Sequence, residues 1–301
     1  MSRRGRAEGR GAGMKPAPLA YARPASLAEA LDLLAGEDAR ALAGGQSLVP
    51  ALNLRLAAAG TLVDINRLPG LDHVRLGDRG LVIGALVRHA ELEASPLVAE
   101  HAPLLAQAMP HVGHLAIRSR GTLGGSVALA DPAAEIPACL VALDAVIRVT
   151  ARDGAREVPA ASFFRGIYTT DLRRGELVTE VVVPAAPGCR SRFFELARRH
   201  GDYALVAVAA RARVAAGRLE DLRLVLAGVG VAPVRVARCE AALAGRRPDA
   251  TALDEAGRVL AAELDPLSDV HASAALRRHL ARVLVARAVA ALVRLSGPMA
   301  A

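Results

Sequence analysis

A chain of 301 residues, 53% apolar and 23% charged, has room for about two domains and ample material for a buried core. Only 2% of it is aromatic and tryptophan is absent, so the core is expected to rest on Ala, Val and Leu in many close contacts. The net charge of +8 is almost all arginine, since Lys15 is the only lysine. Residues 1–13 account for +3 of it through Arg3, Arg4, Arg6 and Arg10 against Glu8. The remainder forms no dense basic stripe with interleaved aromatics, as single-stranded nucleic acid requires, so the charge fits a solvated surface and no nucleic-acid partner is expected. Apolar runs are broken by Arg, Asp or Gly before the roughly 18–20 residues of a membrane span. The tail over 1–13 has no apolar stretch after its arginines, so it is not a secretory signal; disorder is expected there, with Met14 as a candidate start. Cys139, Cys189 and Cys239 stand far apart with no C-x-x-C, which excludes an iron–sulfur or Cys-rich zinc site within the chain and suits a reducing cytoplasm.

From Arg23 the chain is clearly punctuated. Ser26-Leu27-Ala28-Glu29 is a capping-box pattern opening a helix through Leu34, which stops at Gly36. Residues 39–43 read as a strand, Gly44-Gly45 as a tight pair, and a helix from Ser47 carries Leu48, Leu52 and Leu56 on one face. With a buried strand over 61–65, this makes a small strand–helix–strand unit. A second block, from about Leu71 to Pro184, holds a strand over 81–86, a short helix over 97–109, the glycine-rich stretch 121–126, a helix over 135–143, and strands over 145–150 and 177–183. Pro184, Pro187 and Gly188 mark a linker. In the last block, strands over 203–214 and 222–229 join at Ala216-Gly217, and helices follow over 237–243, 251–264 and 274–295. Strands followed by helices indicate α+β. The expected division is a tail over 1–13, a domain over 14–187 and a C-terminal domain over 188–295.

Two glycine-rich stretches stand out. Ala43-Gly44-Gly45-Gln46-Ser47 lies after a strand and before a helix. Adjacent glycines permit positive φ, so successive amides can converge on one anion, and the helix N-terminus adds free N–H groups and its dipole. Alone, the stretch also fits an ordinary tight turn, and it matches neither the Walker A pattern nor G-x-G-x-x-G. Arg120-Gly121-Thr122-Leu123-Gly124-Gly125-Ser126 repeats the device, with hydroxyls that can donate to phosphate. Two such loops suit a diphosphate gripped from both sides by neutral amides, with Gly45 and Gly125 both expected at positive φ. Glu135, after Asp131-Pro132, is placed to accept hydrogen bonds from sugar hydroxyls, or simply to complement the dipole of its helix.

Other constellations carry less. His111 and His114 are spaced H-x-x-H, but no third ligand is near and the segment reads as a loop into a strand, so no metal site is expected. Cys139 reads as a buried thiol on an apolar helix, and Ser162-Phe163-Phe164 as core or interface packing. Asp131, Glu135 and Asp144 form no acid–base pair, and no catalytic residue is singled out. Tyr203, closing Arg198-Arg199-His200-Gly201-Asp202-Tyr203, has a flat face that can lie against a planar ring; the alternative is a half-buried tyrosine at a strand-initiating turn.

Four stretches occur in this order: Ala43-Gly44-Gly45-Gln46-Ser47-Leu48-Val49-Pro50, Ile117-Arg118-Ser119-Arg120-Gly121-Thr122-Leu123-Gly124-Gly125-Ser126, Asp131-Pro132-Ala133-Ala134-Glu135-Ile136-Pro137 and Arg199-His200-Gly201-Asp202-Tyr203-Ala204. Together they resemble the FAD-binding medium subunit of the xanthine dehydrogenase and aerobic carbon monoxide dehydrogenase family, the molybdenum hydroxylases, from about Lys15 to Leu295. The resemblance implies an α+β fold, a two-subdomain FAD-binding module of the vanillyl-alcohol-oxidase (PCMH-like) type followed by a smaller α+β C-terminal domain. It implies that Ala43, Gly44, Gly45, Gln46 and Ser47, with Thr122, Leu123, Gly124, Gly125 and Ser126, wrap the FAD diphosphate. By the same likeness Glu135 contacts the cofactor, Val112 and Gly113 line its adenine or ribityl side, and Tyr203 lies close to the isoalloxazine. Flavoproteins of the wider fold that link FAD covalently often carry a histidine in the first glycine loop; Gln46 stands here, so the flavin is expected to be noncovalent. The lysine near Phe194 and the tyrosine near Leu276 of some members are absent, which leaves the tuning of the flavin and the electron acceptor open. The implied partners are a molybdopterin-binding large subunit and a 2Fe-2S small subunit, arranged as a dimer of heterotrimers. Electrons then cross iron–sulfur clusters to FAD and leave for NAD, oxygen or a quinone. A self-contained flavin oxidase of the same broad fold is the alternative.

Overall fold

The computed structural model describes residues 15–294; the expected tail over 1–13, the candidate start at Met14 and the helix end at Leu295 lie outside them. The first sheet is parallel, with strands in the order Ala20–Ala22, Thr61–Asp64, Ala39–Leu42. Ser26 Oγ accepts the Glu29 N–H at 3.2 Å and caps helix Leu27–Leu34, while the Glu29 carboxylate takes the N–H of Ala25 rather than that of Ser26. The helix after the first glycine pair is only Leu48–Asn53. Arg55 takes a positive φ just beyond it, so Leu56 falls off the expected apolar face and is 80% exposed.

The second sheet is antiparallel, in the order Val74–Gly77, Gly80–Gly84, Leu177–Pro184, Val146–Ala151, Gly154–Pro159. The two outer strands are not legible beforehand, because short, arginine-bearing edge strands carry little apolar alternation. Gly80–Gly84 is followed by a run of short helices in place of the expected strand to Leu86: His89–Ala94, Pro96–His101, Pro103–Ala108, Leu115–Arg118, Leu123–Leu129 and Glu135–Ala142. The single helix expected over 97–109 is split because Pro103 opens a new one at its first position. His111 closes a 3-10 turn that leads into helix Leu115–Arg118, not into a strand. The stretch over 121–126 is likewise not a free loop. Thr122 Oγ1 accepts the Gly125 N–H at 3.1 Å and caps a helix that begins at Leu123.

The third sheet is antiparallel, with Cys189–Ala197, Ala204–Ala215, Arg218–Ala227 and Val234–Arg235 in chain order. Its first strand starts directly after the expected linker and escapes local pattern because polar Ser191 and Glu195 share the face of Phe193. Ala216 and Gly217, both at positive φ, make the hairpin turn. Val206, Val208, Ala210, Leu224 and Leu226 pack against helices Ala237–Leu243, Ala250–Glu263 and Ala274–Arg294. Alternate residues on the other face, Phe193, Ala207, Ala209, Val225 and Ala227, join the core that contains helix Glu135–Ala142. Every residue of that helix is buried, as a helix apolar on all sides must be. Gln107 meets the open edge of the sheet: its Nε2 donates to the Ser191 carbonyl at 3.2 Å and its Oε1 accepts the Phe193 N–H at 3.1 Å. Among the described residues no helix is long and apolar enough to cross a membrane.

Leu140 is fully buried on the central helix, so Leu140→Ala is expected to lower unfolding free energy by about 2–5 kcal/mol. Leu56→Ala, at an exposed site, is expected to stay within about 0.5 kcal/mol. Urea denaturation of both variants checks the pair.

Candidate functional site

The first glycine stretch leaves the end of strand Ala39–Leu42. Gly45 takes φ +72°, a left-handed conformation open to glycine. The N–H groups of Gly44, Gly45, Gln46 and Ser47 find no acceptor among the described residues. Four successive unpaired amides leading into a helix are what an oxyanion needs. Gln46 turns its amide back to the Gly44 carbonyl at 3.2 Å, and Ser47 makes no side-chain cap. Gly44 has a separate reason to be glycine. A Cβ there would stand 2.3 Å from the Arg120 carbonyl oxygen and 2.8 Å from Gly121 Cα. The two predicted stretches therefore touch, backbone against backbone.

The second stretch is not the mirror of the first. The N–H groups of Leu123 and Gly124 donate to the carbonyls of Val87 and Ala85 at 3.0 and 2.8 Å, and that of Gly125 is taken by Thr122. Gly125 does not take the expected positive φ. Gly124 is small because its helix sits on Ala85, whose Cβ would lie 2.5 Å from an added one. These glycines shape the contact and hold no spare amides; Ser126 offers a hydroxyl without a partner among the described residues.

Three residues that local pattern does not reveal join the stretches. Asn66 Nδ2 donates to the carbonyls of Leu42 and Ala43 at 3.2 and 2.8 Å, and Asn66 Oδ1 accepts from Arg88 Nη2 at 2.7 Å. Arg88 Nη1 donates to the Arg120 carbonyl. His89 is buried, and desolvation pushes its pKa down to about 4, so the neutral ring commits its Nε2 proton to the Thr122 carbonyl at 2.9 Å. Its Nδ1 has no partner among the described residues and lies against Gly121.

Val112 and Gly113 stand at the other end of the short helix Leu115–Arg118. Arg118 Nη1 donates to both carbonyls at 3.3 and 3.0 Å, and its Nε to Glu93 at 2.7 Å. A Cβ on Gly201 would come within 2.9 Å of the Gly113 carbonyl and closer still to the His114 ring, so the turn before Tyr203 is pressed onto this segment. Tyr203 itself is 65% exposed, more open than a half-buried turn tyrosine. Its hydroxyl pKa is raised by partial desolvation and then by Asp131 and Glu135, which places Tyr203 and Glu135 in one electrostatic neighbourhood. Tyr168 joins it by donating to Asp131 at 3.2 Å. Burial pushes Glu135 up to about 7, with Asp131 adding to it. Glu195, from the third sheet, is pushed to about 8 by burial and by Glu135, and its buried Oε2 has no partner among the described residues. Asp144 belongs elsewhere, paired with Arg211 at 2.8 Å. Among the described residues no three His, Cys, Asp or Glu side chains are grouped to hold a metal ion; His111 packs on Phe193 with ring centroids 5.3 Å apart.

The chain is similar to known proteins along almost its whole length. Residues 15–186 match the family described as FAD binding domain in molybdopterin dehydrogenase, and residues 191–292 the CO dehydrogenase flavoprotein C-terminal domain. The glyceraldehyde dehydrogenase medium chain of Sulfolobus acidocaldarius is 37% identical, over 91% of this chain and 98% of its own. The 6-hydroxypseudooxynicotine dehydrogenase complex subunit alpha of Paenarthrobacter nicotinovorans is 39% identical, over 92% and 95%. The solved carbon monoxide dehydrogenase of Hydrogenophaga pseudoflava superposes with a TM-score of 0.89 at 36% identity, over 92% of this chain and 98% of that one. The chain belongs to the FAD-binding medium subunits of the molybdenum hydroxylase family, oxidoreductase subunits of the xanthine dehydrogenase and carbon monoxide dehydrogenase type.

Proposed function

We propose that this subunit carries one noncovalent FAD and is the electron outlet of a cytoplasmic three-subunit hydroxylase. A small partner with 2Fe-2S clusters delivers the electrons, and NAD, oxygen or a quinone removes them. Substrate oxidation belongs to a large partner holding the molybdenum cofactor, in a dimer of heterotrimers. The observation that supports this most directly is the row of unpaired amides from Gly44 to Ser47 set against the Arg120-Gly121 backbone. In this reading Ala43, Gly44, Gly45, Gln46 and Ser47 hold the diphosphate by amides. Thr122, Leu123, Gly124, Gly125 and Ser126 close the other side by shape and by the Ser126 hydroxyl.

Val112 and Gly113 line the adenine or ribityl side, Glu135 bonds a sugar hydroxyl, and Tyr203 lies on the isoalloxazine. The residues over 14–187 form the FAD-binding unit, and those over 188–295 supply the C-terminal domain with Tyr203. FAD, when bound, supplies the redox chemistry. The chain binds and orients it.

Acid precipitation of the loaded subunit is expected to release all yellow colour into the supernatant; flavin left in the pellet would refute noncovalent attachment. The charge on Glu135 makes a second expectation. Its pKa rises on folding from 4.5 to about 7, so the folded chain keeps a proton that the unfolded chain releases, and stability falls as pH rises between those values. At pH 8 this amounts to about 3 kcal/mol. Apo Glu135→Gln is therefore expected to be more stable than the unsubstituted chain at pH 8 and equal to it at about pH 4, below the unfolded pKa, as read from denaturation midpoints. Finally, the isolated subunit is expected to oxidise no heterocycle, aldehyde or carbon monoxide. Tyr203→Ala, losing a ring contact worth about 1 kcal/mol, is expected to weaken FAD binding roughly five-fold and to slow flavin reduction in the assembled complex. Stopped-flow spectra should show reduction of the molybdenum centre unchanged; a slowed molybdenum step would contradict the division of labour.

A further inference from the structure

We propose that Asn66, Arg88 and His89 are positioning residues that set the spacing of the two FAD-holding stretches, so that the Gly44–Ser47 amides meet the diphosphate already aligned. This rests on the cofactor reading above. Asn66 stands two residues past strand Thr61–Asp64, held by Asp64, whose Oδ1 accepts its backbone N–H at 3.0 Å and its Nδ2 at 2.6 Å. From there it grips the carbonyls of Leu42 and Ala43, where the first stretch begins. Arg88 continues the chain of bonds from Asn66 to the Arg120 carbonyl. That carbonyl is the one lying against Gly44. Its oxygen is thus fixed between a guanidinium and a glycine, and the distance between the stretches has no freedom left. His89 secures the next residues, its N–H donating to the Gly121 carbonyl at 3.0 Å and its ring to that of Thr122.

The chemistry of Arg88 argues for more than scaffolding. Its guanidinium is half withdrawn from water, yet among the described residues neither it nor Arg120 beside it makes a salt bridge. Desolvation and then the charge of Arg120 disfavour its cationic form. Against this, the carboxylates of Glu91 and Asp64 favour the cation; two neighbouring cations beside free amides still suit a diphosphate. The bonds to Asn66 and Arg120 also call for two donors in one plane, which arginine has and lysine lacks.

The test titrates FAD into the apo full-length subunit, following quenching of flavin fluorescence, with riboflavin as the ligand that has no diphosphate. Arg88→Met and Asn66→Ala are each expected to weaken FAD binding roughly 10- to 100-fold, with riboflavin binding changed less than about three-fold. The double variant is expected to be no worse than the weaker single one, because the two residues act as one device. Arg88→Lys is expected not to rescue, and it serves in place of Arg88→Met should that variant fail to fold. FAD affinity unchanged in the variants, equal losses for FAD and riboflavin, additive losses in the double variant, or full rescue by lysine would each overturn the proposal. An unsubstituted subunit that takes up no FAD would instead overturn the cofactor reading, and the positioning role with it.

Discussion

Backbone meets backbone where Gly44 approaches the Arg120 carbonyl, and a single methyl at position 44 would have to lie 2.3 Å from that oxygen. One partner in this contact leaves the parallel sheet; the other belongs to the helical run inserted in the antiparallel sheet. The contact therefore exists only where the two subdomains are pressed together. Parallel pairing of Leu42 with Asp64 brings Asn66 beside the Leu42 carbonyl, so even the reach of that side chain follows from sheet register. Free amides on one side and committed amides on the other then follow from which partner ends in a loop and which in a capped helix.

Much of this architecture is legible in the sequence where the signal is local. The strand, the glycine pair and the helix of the first stretch fall between residues 39 and 53, and the hairpin at Ala216-Gly217 announces itself by its turn residues. The helix at Leu123–Leu129 is hidden because Thr-Leu-Gly-Gly-Ser has poor helical propensity; carbonyls of Val87 and Ala85, more than thirty residues upstream, take its first amides. Arg88 is obscure for the same reason. Its nearest local signal, Glu91 three residues on, reports only a capped helix, while its bonding partners lie 22 and 32 residues away. Residue chemistry alone leaves the glycine stretches open between turn and anion site. The ordered set of four motifs points to the cofactor, and the family match agrees with it.

The near absence of aromatic residues also shapes the site. Alanines at 204, 207 and 209 let the third sheet lie close to the fully buried helix Glu135–Ala142. With the sheet so close, the carboxyls of Glu135 and Glu195 are drawn out of water together; burial raises both, and Glu135 raises Glu195 further. Such burial is costly for ionised groups. It leaves polar atoms with unmet bonding capacity at the meeting of two domains, beside exposed Tyr203 and Tyr168.

The amide of Gln107 on the edge of the third sheet has a consequence for how the subunit survives before it finds its partners. An unpaired edge strand is a template for pairing with another chain, and Cys189–Ala197 is such an edge, nine residues long. One side chain occupies the donor and acceptor at its centre, where an incoming strand would need both. A newly made subunit thus carries its own stopper against self-association through this edge, and a leucine in its place would fill the same space while leaving the edge open.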